Sequence, residues 1–176
     1  MIKGIDLKAY IREFPDWPKE GILFRDITPI LLHPRIFTAA VDALCSSYYK
    51  ISEIDYVAAV EARGFIFGTA VANRLGVGFV PIRKKGKLPG QVQSITYDLE
   101  YGTDTLQVQS DAMEHGSSVL MIDDLLATAG TMCSACRLIE RVGGKVAGIS
   151  FLIELAYLNG REKLSDYKVT SVVAYE

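Results

Sequence analysis

Histidine, cysteine and long apolar runs are scarce in this sequence. Its 176 residues contain two histidines, His33 and His115, and three cysteines, Cys45, Cys133 and Cys136. Cys133 and Cys136 form a C-x-x-C, but no second Cys/His pair stands near them, so neither a zinc site nor a redox centre is expected. The odd cysteine count argues against a disulfide framework. No window reaches the roughly 18 uninterrupted apolar residues of a membrane helix, and the opening MIKGIDLKAYIREF lacks the apolar core of a secretory signal. The expectation is a soluble cytoplasmic protein with no membrane partner. Charge of one sign is also lacking: 19 Lys and Arg face 21 Asp and Glu, for a net charge of -2. That balance excludes a polybasic nucleic-acid binder, so any anion site has to be a local cluster in a near-neutral field.

What is present suits one domain over residues 1–176, with enough apolar residues for a core without metal or disulfide staples. Short apolar runs alternate with helical segments, the pattern of βαβ units around an open, mostly parallel sheet, an α/β fold with helices on its flanks. Residues 1–13 read as a helix. The following FPDWPKEGILFRDITPIL is broken by Pro15, Pro18, Gly21 and Pro29, so residues 1–34 are expected to form an N-terminal hood over the core. RIFTAAVDALCSSYYK carries Phe37, Val41, Leu44 and Tyr48 at helical spacing. YVAAV (56–60) and GFVPI (78–82) read as buried strands joined by the helix FIFGTAVANRLG, which ends at Gly76. Residues 83–112 differ: RKKGKLPG is basic and turn-rich, and SITYDLEYGTDTLQVQ alternates as a hairpin does, a candidate lid inserted between parallel strands. VLMID, a helix from Thr131 to Val142, VAGISFLIEL and a final edge strand VTSVVAYE complete the pattern.

The chemistry concentrates in VLMIDDLLATAGTM. In an open parallel sheet, ligands sit beyond the carboxyl ends of the strands, and Asp123 to Thr131 occupy that place. Ala127, Thr128, Ala129, Gly130 and Thr131 expose backbone N–H groups and two hydroxyls ahead of a helix N-terminus, which favours a phosphate. Asp123 and Asp124 would repel that phosphate, but they can accept bonds from the two hydroxyls of a ribose. The combination reads as a ribose 5-phosphate site. A Walker loop would need Gly-Lys-Ser/Thr here, and a dinucleotide loop would place its glycines ahead of the acidic residue. The plain alternative is a polar turn capped by aspartates.

A second anion site is suggested by EARG, where Arg63 and the N–H groups of Ala62 and Gly64 follow a buried strand. Arg83, Lys84, Lys85 and Lys87 come just past the next strand; alone they are equally consistent with a solvated basic turn. Phe24 offers a flat apolar face, with Arg25 beside it and Leu125 just beyond the Asp pair, although a core phenylalanine is the plainer reading. Glu100, viewed alone, is an exposed strand glutamate.

VLMIDDLLATAGTM resembles the phosphoribosyl-pyrophosphate loop of the type I phosphoribosyltransferases. DDLLAT together with EARGF, RKKGKLPG and LEYG is similar to the adenine-using branch of that family, and the likeness runs from FPDWPKEGILFRDITP to GREKL. The resemblance implies transfer of a 5-phosphoribosyl group from phosphoribosyl pyrophosphate to adenine, giving AMP and pyrophosphate. It implies that Glu61, Ala62, Arg63, Gly64, Arg83 and Lys87 hold pyrophosphate, with the Glu61–Ala62 bond matching a cis peptide often present in the family. It also implies that Phe24, Arg25 and Leu125 line the base pocket, that Glu100 takes the proton from adenine N9, and that Tyr101 and Arg63 assist. Mg²⁺ is expected on the substrate's own oxygens, with no direct protein ligand and with Asp123 and Asp124 acting through water. A homodimer is the implied assembly. One departure stands out: Ala129 replaces the usual glycine, which is unfavourable if the position needs φ > 0. A 6-oxopurine enzyme of the same family is disfavoured by DDLLAT. A phosphoribosyl-pyrophosphate-sensing regulator is disfavoured by the absence of an added basic segment.

Overall fold

The computed structural model describes residues 5–48, 54–98 and 102–176. A 3-10 turn, Leu7–Tyr10, leads into β1 (Arg12–Phe14), β2 (Phe24–Asp26), α1 (Thr28–Leu32) and α2 (Pro34–Cys45). Then come β3 (Tyr56–Val60), α3 (Arg63–Leu75), β4 (Gly78–Lys84), β5 (Val92–Asp98) and β6 (Thr103–Gln109). The chain closes with β7 (Ser118–Leu126), α4 (Gly130–Arg141), β8 (Lys145–Leu155), two short 3-10 turns and β9 (Val169–Tyr175).

The main sheet has seven strands in the order β5-β6-β4-β3-β7-β8-β9. The five strands from β4 to β9 in that order are parallel, and β6 runs antiparallel to both β4 and β5. Alternation along β3 divides the core. Val57 and Ala59 face a cluster with Leu44, Phe67, Leu120 and Ile122. Ala58 and Val60 face the opposite cluster, with Met121, Ile139, Ile149 and Phe151. Because both faces of the central strands are covered, they read as continuous apolar runs instead of alternating ones. α3 stops at Gly76, which takes a left-handed φ of 73° and returns its N–H to Ala72 and Asn73 carbonyls.

Several expectations are corrected. The helix expected over residues 1–13 is replaced, in the described residues 5–13, by a 3-10 turn that Asp6 caps and by extended chain from Ile11. Pairing with β2 overrides the helical spacing, setting Arg12 opposite Asp26, to which its Nε donates at 2.8 Å. α2 ends at Cys45, so Tyr48 lies beyond it, buried, with its hydroxyl donating to the Ile149 carbonyl at 3.2 Å. β4 continues to Lys84, which places Arg83 inside the strand, not past it. The base of the hairpin joins the main sheet: β6 extends its edge, pairing Arg83 with Gln107 and Lys84 with Leu106. Leu106 and Val108, both fully buried, hold it there. Glu100 and Tyr101, between β5 and β6 in the sequence, lie outside the described residues.

Candidate active site

β7 continues three residues past the expected end of VLMID at Asp123 because β8 stays paired to it, with Asp123 opposite Phe151 and Leu126 opposite Glu154. The two carboxylates therefore sit on the last turns of a strand, and the loop proper is only Ala127–Ala129. Asp124 is buried and Asp123 half-buried. Burial, then the neighbouring Asp124 charge, pushes the Asp123 carboxyl well above its usual value. Ala129 has φ 64° and ψ 0°, so the position does take the left-handed conformation that disfavours alanine, and it forms the N-cap of α4. No side chain caps α4, and its first turn carries no acidic residue. Its leading N–H groups are left for a ligand. Next to them lies a cavity of about 360 Å³, lined by Glu61–Gly64, Asp123–Met132, Val60 and Phe151.

The opposite wall is the β3–α3 turn. The Glu61–Ala62 peptide is cis, at the bond to which the family resemblance pointed. Gly64 is required by close approach: a Cβ there would come within 2.8 Å of Asp123 Oδ1. Arg63 ion-pairs with Asp124, and its guanidinium lies 5.2 Å from the Phe24 ring centre. Glu61 turns the other way, accepting from Lys84 N at 2.6 Å and from Arg83 Nη2 at 3.1 Å. Although burial pushes the Glu61 carboxyl up, the Lys84 N–H and the Arg83 guanidinium outweigh it and hold the group below its usual value. Arg83 also donates to the Lys87 carbonyl at 3.1 Å. Of the six residues expected on pyrophosphate, Glu61 to Gly64 line this cavity; Arg83 and Lys87 lie outside it, with Arg83 braced against Glu61.

A second cavity, of about 340 Å³, adjoins the first and shares Arg63, Leu125 and Ala127 with it. Phe24, Arg25 and Leu125 all border it, as expected for a base pocket, together with Ile22, Leu155 and Leu158. The Arg25 guanidinium is directed elsewhere, ion-paired with Glu13 and stacked 3.8 Å from the centre of the Tyr175 ring. Trp17 packs edge-on against Phe24, with ring centres 4.4 Å apart. Sequence reasoning missed Trp17, Leu158 and Tyr97, whose hydroxyl lies 3.3 Å from Thr131 Oγ1. Only Trp17 carried a signal, as an aromatic between two prolines in an already suspected hood.

Residues 30–176 match the model of the phosphoribosyl transferase domain. An adenine phosphoribosyltransferase from Pseudothermotoga lettingae is 51% identical over 97% of this chain and 100% of its own length. The chain belongs to the adenine phosphoribosyltransferase family. The fold agrees: a crystal structure of the Thermoanaerobacter pseudethanolicus enzyme has a TM-score of 0.91 at 48% identity, covering 96% of this chain and 98% of that one. The Saccharomyces cerevisiae enzyme, complexed with an imino-altritol bisphosphate and adenine, has a TM-score of 0.89 at 40% identity, covering 94% and 96%. The two adjoining cavities lie at the carboxyl edge of β3 and β7.

Proposed function

We propose that this chain transfers the 5-phosphoribosyl group of phosphoribosyl pyrophosphate to adenine, releasing pyrophosphate and AMP. The observation that carries the reading is the pair of adjoining cavities, one bordered by Asp123, Asp124 and an uncapped helix N-terminus, the other walled by Phe24 and Leu125, with Arg63 between them. The N–H groups of Ala127 to Thr131, with the Thr128 and Thr131 hydroxyls, bind the 5-phosphate. Asp123 and Asp124 accept from the ribose hydroxyls. Arg63 and the turn around it bind pyrophosphate, and Arg83 and Lys87 supply further positive charge nearby. Adenine lies against Phe24, opposite Leu125, with the Arg25 segment along its edge.

Positive charge builds at the ribose C1 atom as pyrophosphate leaves, so the enzyme's task is to hold the base nitrogen in line and keep water out. Glu100 accepts the N9 proton and Tyr101 helps to close the site, roles that rest on the resemblance of LEYG to the family. Among the described residues no group of three or more His, Cys, Asp or Glu forms a metal cage. A two-carboxylate site fits a Mg²⁺ brought by the substrate and reached by Asp123 and Asp124 through water. The ion's chemistry is to offset the charge of the departing pyrophosphate. No described helix is long and apolar enough to cross a membrane. A cytoplasmic homodimer is the corresponding reading of location and assembly, supported by the family resemblance.

The test is pyrophosphate release from phosphoribosyl pyrophosphate and Mg²⁺ with adenine, hypoxanthine, guanine or no base. Release with adenine alone, matched by AMP, is expected. Turnover with hypoxanthine or guanine instead would reassign the base, and release without any base would make the chain a hydrolase.

A further inference from the structure

The loop that shapes the phosphate end of the larger cavity is pressed from behind by a segment that does not line it. Gly160, buried, opens the 3-10 turn Gly160–Leu164. A Cβ on Gly160 would lie 2.0 Å from the Ala127 carbonyl oxygen, 3.0 Å from its carbon and 3.2 Å from Ala129 N. The obstacle is backbone, which cannot swing aside as a side chain does, so any larger residue has to push the loop by about 1 Å. The turn itself is anchored. Arg161 donates from Nε to Glu154 Oε1 at 2.8 Å, from Nη1 to the Val169 carbonyl at 2.9 Å and from Nη2 to Ser171 Oγ at 3.0 Å. Its Nη2 also engages Glu154 Oε2, completing a bidentate pair that ties the turn to β8 and β9. Leu164 is fully buried, and Cys133 Sγ on α4 donates to the Lys163 carbonyl at 3.4 Å.

This brace meets the loop where it has least backbone freedom of its own. Ala129 sits at φ 64°, a conformation that alanine enters unwillingly and does not hold by local preference. Something outside the loop has to hold it, and Gly160 backs the loop closely enough that a Cβ on it would meet both Ala127 and the backbone nitrogen of Ala129. We propose that Gly160 and the turn anchored by Arg161 are positioning residues for phosphoribosyl pyrophosphate. They fix the path of residues 127–129 so that the N–H groups at the start of α4 are already aimed before the 5-phosphate arrives. Preset donors bind more tightly because less freedom is lost on binding. The brace rests on the proposed role of this loop as the 5-phosphate site, and it adds a role for a segment that touches neither ribose nor base.

The experiment is calorimetric titration of the full chain with ribose 5-phosphate and with phosphoribosyl pyrophosphate plus Mg²⁺, alongside steady-state kinetics. Gly160→Ala is expected to weaken both ligands by about 10- to 100-fold, the worth of one misaimed hydrogen bond to a charged group, while kcat at saturating substrate changes far less. Arg161→Gln, which leaves the loop contact intact but loosens the turn, is expected to weaken both ligands to a smaller degree. Adding Ala129→Gly to Gly160→Ala is expected to recover part of the affinity, because glycine gives the displaced loop other ways to reach the same path. A general folding fault would instead lower the titratable fraction at unchanged affinity, with no recovery in the double variant, and would overturn the proposal. So would a folded Gly160→Ala that binds both ligands as the parent does. If Gly160→Ala does not fold, Arg161→Gln decides: weakened binding supports the brace and parental binding overturns it. A parent that binds neither ligand would overturn the reading of the loop itself, an outcome distinct from a parent that binds and variants that do not differ from it.

Discussion

Replacing Ala129 with glycine tests whether the left-handed conformation of the phosphate loop is a strain the protein carries. Ala129 lies at φ 64°, ψ 0° and is 7% exposed, in the α4-side core. An L-residue in this region costs about 1–2 kcal/mol relative to glycine. Against that relief stand about 0.8 kcal/mol for one buried methyl and about 0.5–1 kcal/mol for the greater freedom of glycine in the unfolded chain. The opposing effects nearly cancel, so Ala129→Gly is expected to change unfolding free energy by less than about 1 kcal/mol, or no more than roughly 2–4 °C in Tm. The Michaelis constant for phosphoribosyl pyrophosphate is expected to fall or stay level, since the change removes strain without touching any donor. Urea unfolding with the m-value held constant, together with initial rates over a substrate series, provides the assay. A loss above about 2 kcal/mol with a several-fold rise in that Michaelis constant would show that the methyl is a structural contact, and the strain argument would be wrong.

The remaining predictions address separate parts of the site. Phe24→Ala should raise the Michaelis constant for adenine by about tenfold or more, the usual worth of one base–aromatic stack, with a much smaller effect on phosphoribosyl pyrophosphate; equal effects on both would place the ring outside the base pocket. Glu100→Gln should lower turnover when chemistry is rate-limiting, and full retention in single-turnover experiments would remove the general-base role. The raised Asp123 pKa makes the folded state bind more protons than the unfolded state between the ordinary carboxylate value and the raised one, so this group costs stability as pH rises through that window. Asp123→Asn should therefore unfold at a higher temperature than the parent at pH 7, lose that advantage below about pH 4, and bind ribose 5-phosphate poorly; a variant less stable at pH 7 would contradict the assigned direction.

Motifs whose meaning is local were legible in the sequence. YVAAV forms β3 at the expected bounds because both faces of a central strand are buried, and α3 ends at Gly76 because a left-handed residue was needed there. The carboxylate pair, the phosphate loop and the EARG turn meet in one cavity because β3 and β7 are parallel neighbours, an adjacency that the alternating pattern alone does not determine. Long-range features were not legible. The pairing of β1 with β2, which replaced a helix, depends on the Arg12–Asp26 contact across 14 residues of chain. The direction of Arg25 depends on Tyr175, almost at the other end of the sequence. Gly160 looked like any loop glycine because the carbonyl it accommodates belongs to Ala127, more than thirty residues earlier.

The edge-on contact between Trp17 and Phe24 has a practical consequence. Trp17 is the only tryptophan in the chain, is 52% exposed and packs on the ring expected to meet the base. Its fluorescence is therefore an intrinsic optical signal at the mouth of the base cavity. A purine stacking on Phe24 changes the surroundings of the indole, so occupancy of that cavity becomes readable in the unlabelled protein without turnover. Stopped-flow mixing with base and phosphoribosyl pyrophosphate in either sequence would then show directly which ligand the free enzyme admits first.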